Sequence, residues 1–138
     1  LLYCQRRYER KQMKLFQIGD FKSHAGLPLT WKIECEAITM NEWICIARMI
    51  MEYQKEPFKY AVGIPRGGAH LAFALNAHAT DDPNHRVLIC DDVYTTGTSF
   101  KEFIKDDYKD EEVIKWVAFA RRPTTDNVNA LFTMPEPL

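Results

Sequence analysis

Along residues 30–37, Trp31, Ile33 and Cys35 alternate with Lys32, Glu34 and Glu36. Period two is the pattern of a strand with one buried face. Upstream, "LFQIGDF" (15–21) reads as a short strand or turn, and Gly26 and Pro28 mark a turn. From Thr39 the period lengthens. Trp43, Ala47 and Ile50 fall on one stripe with Ile44 and Met51 beside it, which predicts a helix to about Gln54. Thr39 and Glu42 have capping-box spacing at its start, and Pro57 closes the segment.

The second half alternates strands and helices. Tyr60–Gly63 is a short apolar strand, "GIPRGG" (63–68) a loop, and "AHLAFALNAHA" (69–79) a small-residue helix that packs closely. "HRVLIC" (85–90) is nearly all apolar, as in a central parallel strand covered on both faces. A loop over 91–99 leads into "SFKEFIKDDY", a helix with Ser99 and Glu102 at capping-box spacing. "VIKWVAFA" (113–120) is the last clear strand, ended by Arg121, Arg122 and Pro123, and the tail is read as adding a short edge strand. This order predicts an α/β fold: a Rossmann-like parallel sheet flanked by helices, with right-handed crossovers. Ligands of such sheets bind at the carboxyl ends of the strands, where loops 63–68 and 91–99 fall side by side.

The chain has 138 residues, 46% hydrophobic and 27% charged, which suits one globular domain. Eighteen basic residues against 19 acidic ones leave no overall footprint for nucleic acid or a membrane surface. No apolar run approaches the roughly 20 residues of a membrane span. Cys4, Cys35, Cys45 and Cys90 have no C-x-x-C spacing, which suggests a reducing, cytoplasmic compartment. Cys35, Cys45 and Cys90 read as small buried apolar residues. His24, His70, His78 and His85 lack metal-site spacing, and His24 is the one that suits the lining of a ligand pocket. The basic stretch "LLYCQRRYERKQ" (1–12) reads as an extension upstream of a single domain over 13–138.

The chemistry concentrates in two loops. Asp91 and Asp92 follow a buried strand. Paired carboxylates accept hydrogen bonds from the adjacent hydroxyls of a ribose, and they also hold a hard cation such as Mg2+. Thr95, Thr96, Gly97, Thr98 and Ser99 then precede a helix. Hydroxyls and backbone N–H groups at a helix start suit a phosphate. A ribose diol beside a phosphate describes a ribose 5-phosphate. Two acids and a Thr/Ser turn are ordinarily a solvated loop with a helix cap; the whole string after a buried strand favours the ligand. In the other loop, the glycines of "GIPRGG" let amides face an anion and Arg66 offers a forked donor, although a plain turn with a surface charge has the same composition.

"VLICDDVYTTGTS" (87–99) resembles the phosphoribosyl pyrophosphate signature of the type I phosphoribosyltransferases. The resemblance spans roughly residues 15–122. It implies that Asp91 and Asp92 hold the ribose hydroxyls and that residues 95–99 wrap the 5-phosphate. "GIPRGG" resembles the family's pyrophosphate loop, which implies a non-proline cis peptide near Arg66. Arg66, Gly67 and Gly68 would then hold the leaving group, and Mg2+ would bridge pyrophosphate and ribose. Ser23, Gly26 and Trp31 resemble the N-terminal hairpin of the orotate phosphoribosyltransferases, with Ala25 and Leu29 in place of small polar positions. That branch implies a pyrimidine-like acceptor beside Trp31, which is equally a core aromatic, with Arg121 or Arg122 near the base. Family membership further implies a homodimer acting on phosphoribosyl pyrophosphate and a nucleobase-like acceptor.

One departure is plain. Many members carry a long flexible loop between the two motifs, whereas residues 69–86 hold a helix and little more, with His85 and Arg86 the basic residues after it. The chain is therefore read as a compact type I fold without that loop. A non-catalytic phosphoribosyl pyrophosphate sensor is the alternative reading, and a purine salvage transferase a third.

Overall fold

The computed structural model describes residues 14–22, 26 and 28–134. Residues 1–12, Ser23, His24 and Ala25 lie outside that set. The chain divides into two compact units, Leu1–Thr39 and Met40–Leu138.

In the first unit, β1 (Phe16–Lys22) and β2 (Pro28–Ile33) pair antiparallel, from Phe16 opposite Ile33 to Lys22 opposite Pro28. Gly26, at φ +80°, supplies the left-handed position of the intervening turn. Trp31 lies opposite Ile18, and its ring is 6.2 Å from that of Phe16. Lys32 sits 4.8 Å over the Phe21 ring and 3.3 Å from Glu34. The alternating pattern through residue 37 overstates the strand. Cys35–Ala37 is a 3-10 turn, because the Glu34 carboxylate accepts the Glu36 N–H and draws the chain round.

In the second unit, α1 (Met40–Tyr53) buries Trp43, Ile46, Ala47 and Ile50, the three-to-four spacing of a helix face. Cys45 falls off that stripe and is exposed, contrary to the burial expected of it. β3 (Phe58–Gly63), β4 (Arg86–Tyr94), β5 (Val113–Ala120) and β6 (Val128–Thr133) form a parallel sheet in that order. Every residue of β5 is buried. α2 (Ala69–Leu75) joins β3 to β4, and α3 (Thr98–Asp107) joins β4 to β5.

Strand alternation separates the two faces. Ile89 and Val117 pack with Phe100 and Ile104 of α3. The neighbouring residues point the other way: the Cys90 thiol reaches the Gly68 carbonyl at the start of α2, and Trp116 Nε1 donates to Gln54 just past α1. The helices α2 and α3 thus lie on opposite faces while the chain steps one way across the sheet. Two such crossovers have opposite hands, so the expected right-handed pair is not kept.

The free edge of β3 explains the route. Asn76 donates to the Ala61 carbonyl and accepts the Ala61 N–H, at 2.9 and 2.8 Å, as a neighbouring strand would. The Thr80 and Asp81 N–H groups continue along the same edge to the carbonyls of Phe58 and Lys59. The chain after α2 therefore ties off the sheet edge before it enters β4. Asn76→Ala leaves the Ala61 pair without partners, and we expect a loss of about 1.5 kcal/mol in urea denaturation.

Candidate functional site

β3 and β4 are adjacent and parallel, with Gly63 opposite Cys90, so the segments that follow them start side by side. After β3 come Ile64, Pro65, Arg66, Gly67 and Gly68, and the Pro65–Arg66 peptide is cis. The Gly68 N–H donates to the Ile64 carbonyl at 2.9 Å, and the Ala69 N–H reaches the Arg66 carbonyl at 3.4 Å. Gly68 is buried and its amide is engaged inside the turn. Arg66 is exposed.

Asp91 and Asp92 belong to β4 rather than to a loop. Asp91 pairs with Val117, and the ladder to β5 continues to Tyr94 opposite Ala120. The loop is thus shorter than 91–99: Thr95 to Gly97 connect the strand to α3. Asp92 packs against the neighbouring turn, and a Cβ on Gly67 would lie 2.4 Å from its Oδ2. The Val93 N–H donates to Asp92 Oδ1 at 2.7 Å, and the Asp92 N–H to Asp91 Oδ1 at 2.8 Å. These bonds fix both carboxyls at the strand end.

Asp91 is only 8% exposed. Burial pushes its carboxyl up to about 8, with the Asp92 charge and a hydrogen bond to the Asp92 side chain adding to the effect. Between the ordinary carboxylate value and about 8, the folded protein keeps a proton on Asp91 that the unfolded chain has released. Without divalent cations, stability should fall as pH rises through that window, and Asp91→Asn should flatten the profile in urea titrations.

α3 starts at Thr98 with Gly97 before it, in the left-handed region at φ +82°. No side chain caps the helix. Ser99 lies inside the first turn, so the capping box expected with Glu102 does not form. The Thr96 and Thr98 hydroxyls lie 2.9 Å apart, and Thr95 is half-buried. A helix start with uncapped N–H groups and two exposed hydroxyls is suited to an anion.

Sequence reasoning passed over Tyr94. Its hydroxyl bonds Thr125 Oγ1 at 3.0 Å and would lie 2.9 Å from a Cβ on Gly97, so it underpins the 95–97 loop. The signal was the continuation of the strand past the acids. Arg121 is buried directly after β5, and its N–H donates to the Tyr94 carbonyl at 2.9 Å. Arg122 is exposed. Trp31 belongs to the hairpin unit, and His24 lies outside the described residues. Arg86 is held by Glu56 at the start of β4, the end of the strand away from both loops. Their bidentate bond lowers the Glu56 carboxyl and raises the Arg86 guanidinium.

Among the described residues, no three His, Cys, Asp or Glu side chains cluster as a metal cage. Two carboxylates still fit a hard octahedral cation that keeps waters and borrows phosphate oxygens. No helix of the described residues is long and apolar enough to cross a membrane.

No family model matches the sequence, and neither does any curated protein. Solved structures do match. The orotate phosphoribosyltransferase of Aeropyrum pernix is 19% identical with a TM-score of 0.66, over 93% of this chain and 92% of that one. The orotate phosphoribosyltransferase of Mycobacterium tuberculosis, in complex with inorganic phosphate, is 16% identical with a TM-score of 0.62, over 91% and 92%. The UMP synthase of Leishmania donovani reaches a TM-score of 0.68 at 16% identity, over 86% of this chain and 33% of that longer one. The fold is the α/β type I phosphoribosyltransferase fold, as the resemblance implied.

Proposed function

We propose that this chain is a phosphoribosyltransferase that moves ribose 5-phosphate from phosphoribosyl pyrophosphate to a ring nitrogen of a base, with an orotate-like pyrimidine as the favoured acceptor. The observation that carries the reading is the packing of the Arg66–Gly67 turn on Asp92 at the end of β4, one short loop before the uncapped α3 start.

The attacking nitrogen displaces pyrophosphate from the ribose C1, so one C–N bond forms as one C–O bond breaks. Positive charge grows on the ribose ring and negative charge on the leaving pyrophosphate. The residues act by position and field. Asp91 and Asp92 accept bonds from the ribose hydroxyls and stabilise the cationic ring. Thr95, Thr96, Thr98, Ser99 and the amides around Gly97 hold the 5-phosphate. Arg66 and the Gly67 amide face the pyrophosphate, while the engaged Gly68 amide shapes the turn. Arg121 is assigned to the acceptor base. Asp91 and Asp92 would also hold Mg2+, which supplies charge neutralisation to the leaving group. We take residues 13–138 to be one functional domain, acting in the cytoplasm as a homodimer whose partner subunit helps cover the site.

A second reading has its own support. Asn76, Thr80 and Asp81 tie off the β3 edge within the stretch between the two motifs, where many members of the family carry a long flexible loop. A chain that binds phosphoribosyl pyrophosphate without shielding it from water is a sensor; a purine salvage transferase is the third reading. The decisive assay is pyrophosphate release from phosphoribosyl pyrophosphate and Mg2+ across pyrimidine and purine bases. Release that depends on one base supports the transferase and identifies its acceptor. Cation-dependent binding in calorimetry without release supports the sensor, and absence of binding refutes both.

A further inference from the structure

On the sheet face that carries α3, residues 121–127 return from the end of β5 to the start of β6 without a helix. Parallel strands are ordinarily joined by a helix laid across the sheet. Here its place beside α3 is left as a cavity of about 370 Å3. That is the small end of the range for ligand pockets.

The walls are apolar and aromatic. Phe100, Ile104 and Tyr108 face the cavity from one side, and Tyr94 and Val128 close the other. Three lysines and two aspartates also line it, and their charges balance save one. Lys115 is 3% exposed, and its ammonium binds the Asp110 carboxylate and, at 2.6 Å, the Asp126 carbonyl. Lys101 lies 3.7 Å from the Asp126 carboxylate. Those two lysines offset the two aspartates. Lys105, exposed on the rim, makes no salt bridge among the described residues. The lining thus carries one uncompensated positive charge beside three aromatic rings.

We propose that this cavity is a second ligand site, for a small organic anion that carries a planar ring. The ring lies among Phe100, Tyr108 and Ile104, and the anionic group meets Lys105 at the mouth. Tyr94 and Gly97 contribute to the lining, so an occupant touches the underside of the 95–97 loop. The proposal stands on the cavity alone and does not depend on what that loop binds.

The probe is anilinonaphthalene sulfonate, followed by its fluorescence on the folded full chain, beside the uncharged N-phenylnaphthylamine. We expect saturable binding at one site per chain. Ile104→Phe fills the cavity and should weaken the sulfonate about tenfold. Lys105→Glu reverses the rim charge and should weaken it about threefold while leaving the neutral probe unchanged. If Ile104→Phe does not fold, the exposed Lys105→Glu substitution decides alone. No saturable binding, or sulfonate binding indifferent to Lys105→Glu, overturns the proposal. So does a folded Ile104→Phe that binds as before, since the dye then sits on other surface such as the exposed Phe73 or Tyr53.

Discussion

Asp91→Asn with Asp92→Asn should lower base-dependent pyrophosphate release by about a thousandfold, the scale on which preorganised charge acts in a transition state. Asparagine keeps the size of the side chain and one acceptor oxygen. In the proposed reaction it removes negative charge that would stabilise the ribose ring as the bond to pyrophosphate stretches. The fold should survive, because the amide fills the same buried space and its oxygen still accepts the Asp92 N–H bond. The measurement is kcat with the favoured base for the double variant and each single one, beside far-UV circular dichroism. Unchanged release would remove both acids from the reaction and with them the transferase reading.

Gly67→Ala should cost about a hundredfold in the same assay without altering a charged group, because a misplacement near 1 Å is enough for such a loss. The added Cβ would lie 2.4 Å from Asp92 Oδ2 and 2.5 Å from its Oδ1. Asp92 has a short side chain, and Val93 N–H already holds its Oδ1. Either the carboxylate swings away from its bond or the turn lifts off the strand end. Both displace the Arg66 turn relative to the acids. A variant as active as the parent would show that the two turns do not act as one site.

The two predictions rest on features of different legibility. The acids, the glycines and the hydroxyls could be read from the chain, because a phosphate-suited loop needs small residues next to a buried strand and leaves that composition in the sequence. The contact between Gly67 and Asp92 could not be read. It requires β3 and β4 to be neighbours in register, and that depends on how the rest of the chain packs. Ser99 illustrates the same gap. Its spacing to Glu102 is that of a capping box, yet the N-cap position falls two residues earlier, on Gly97 in the left-handed conformation.

The sequence by itself determined the order and type of the main elements. Hydrophobic period is a local property, and β5 and the stripe on α1 each bury one continuous or periodic set of side chains. It also supplied the candidates for chemistry, since Asp91, Asp92 and Arg66 stand at the ends of strands whose apolar runs are plain. Tertiary packing alone sets the burial that pushes the Asp91 carboxyl up, because burial depends on what covers the strand end. It alone decided that Asn76 acts as the missing neighbour of β3, that Arg86 is held by Glu56 away from the loops, and that a cavity lies beside α3. Each of these joins residues far apart in the chain, and a local pattern carries no information about which distant partner completes it.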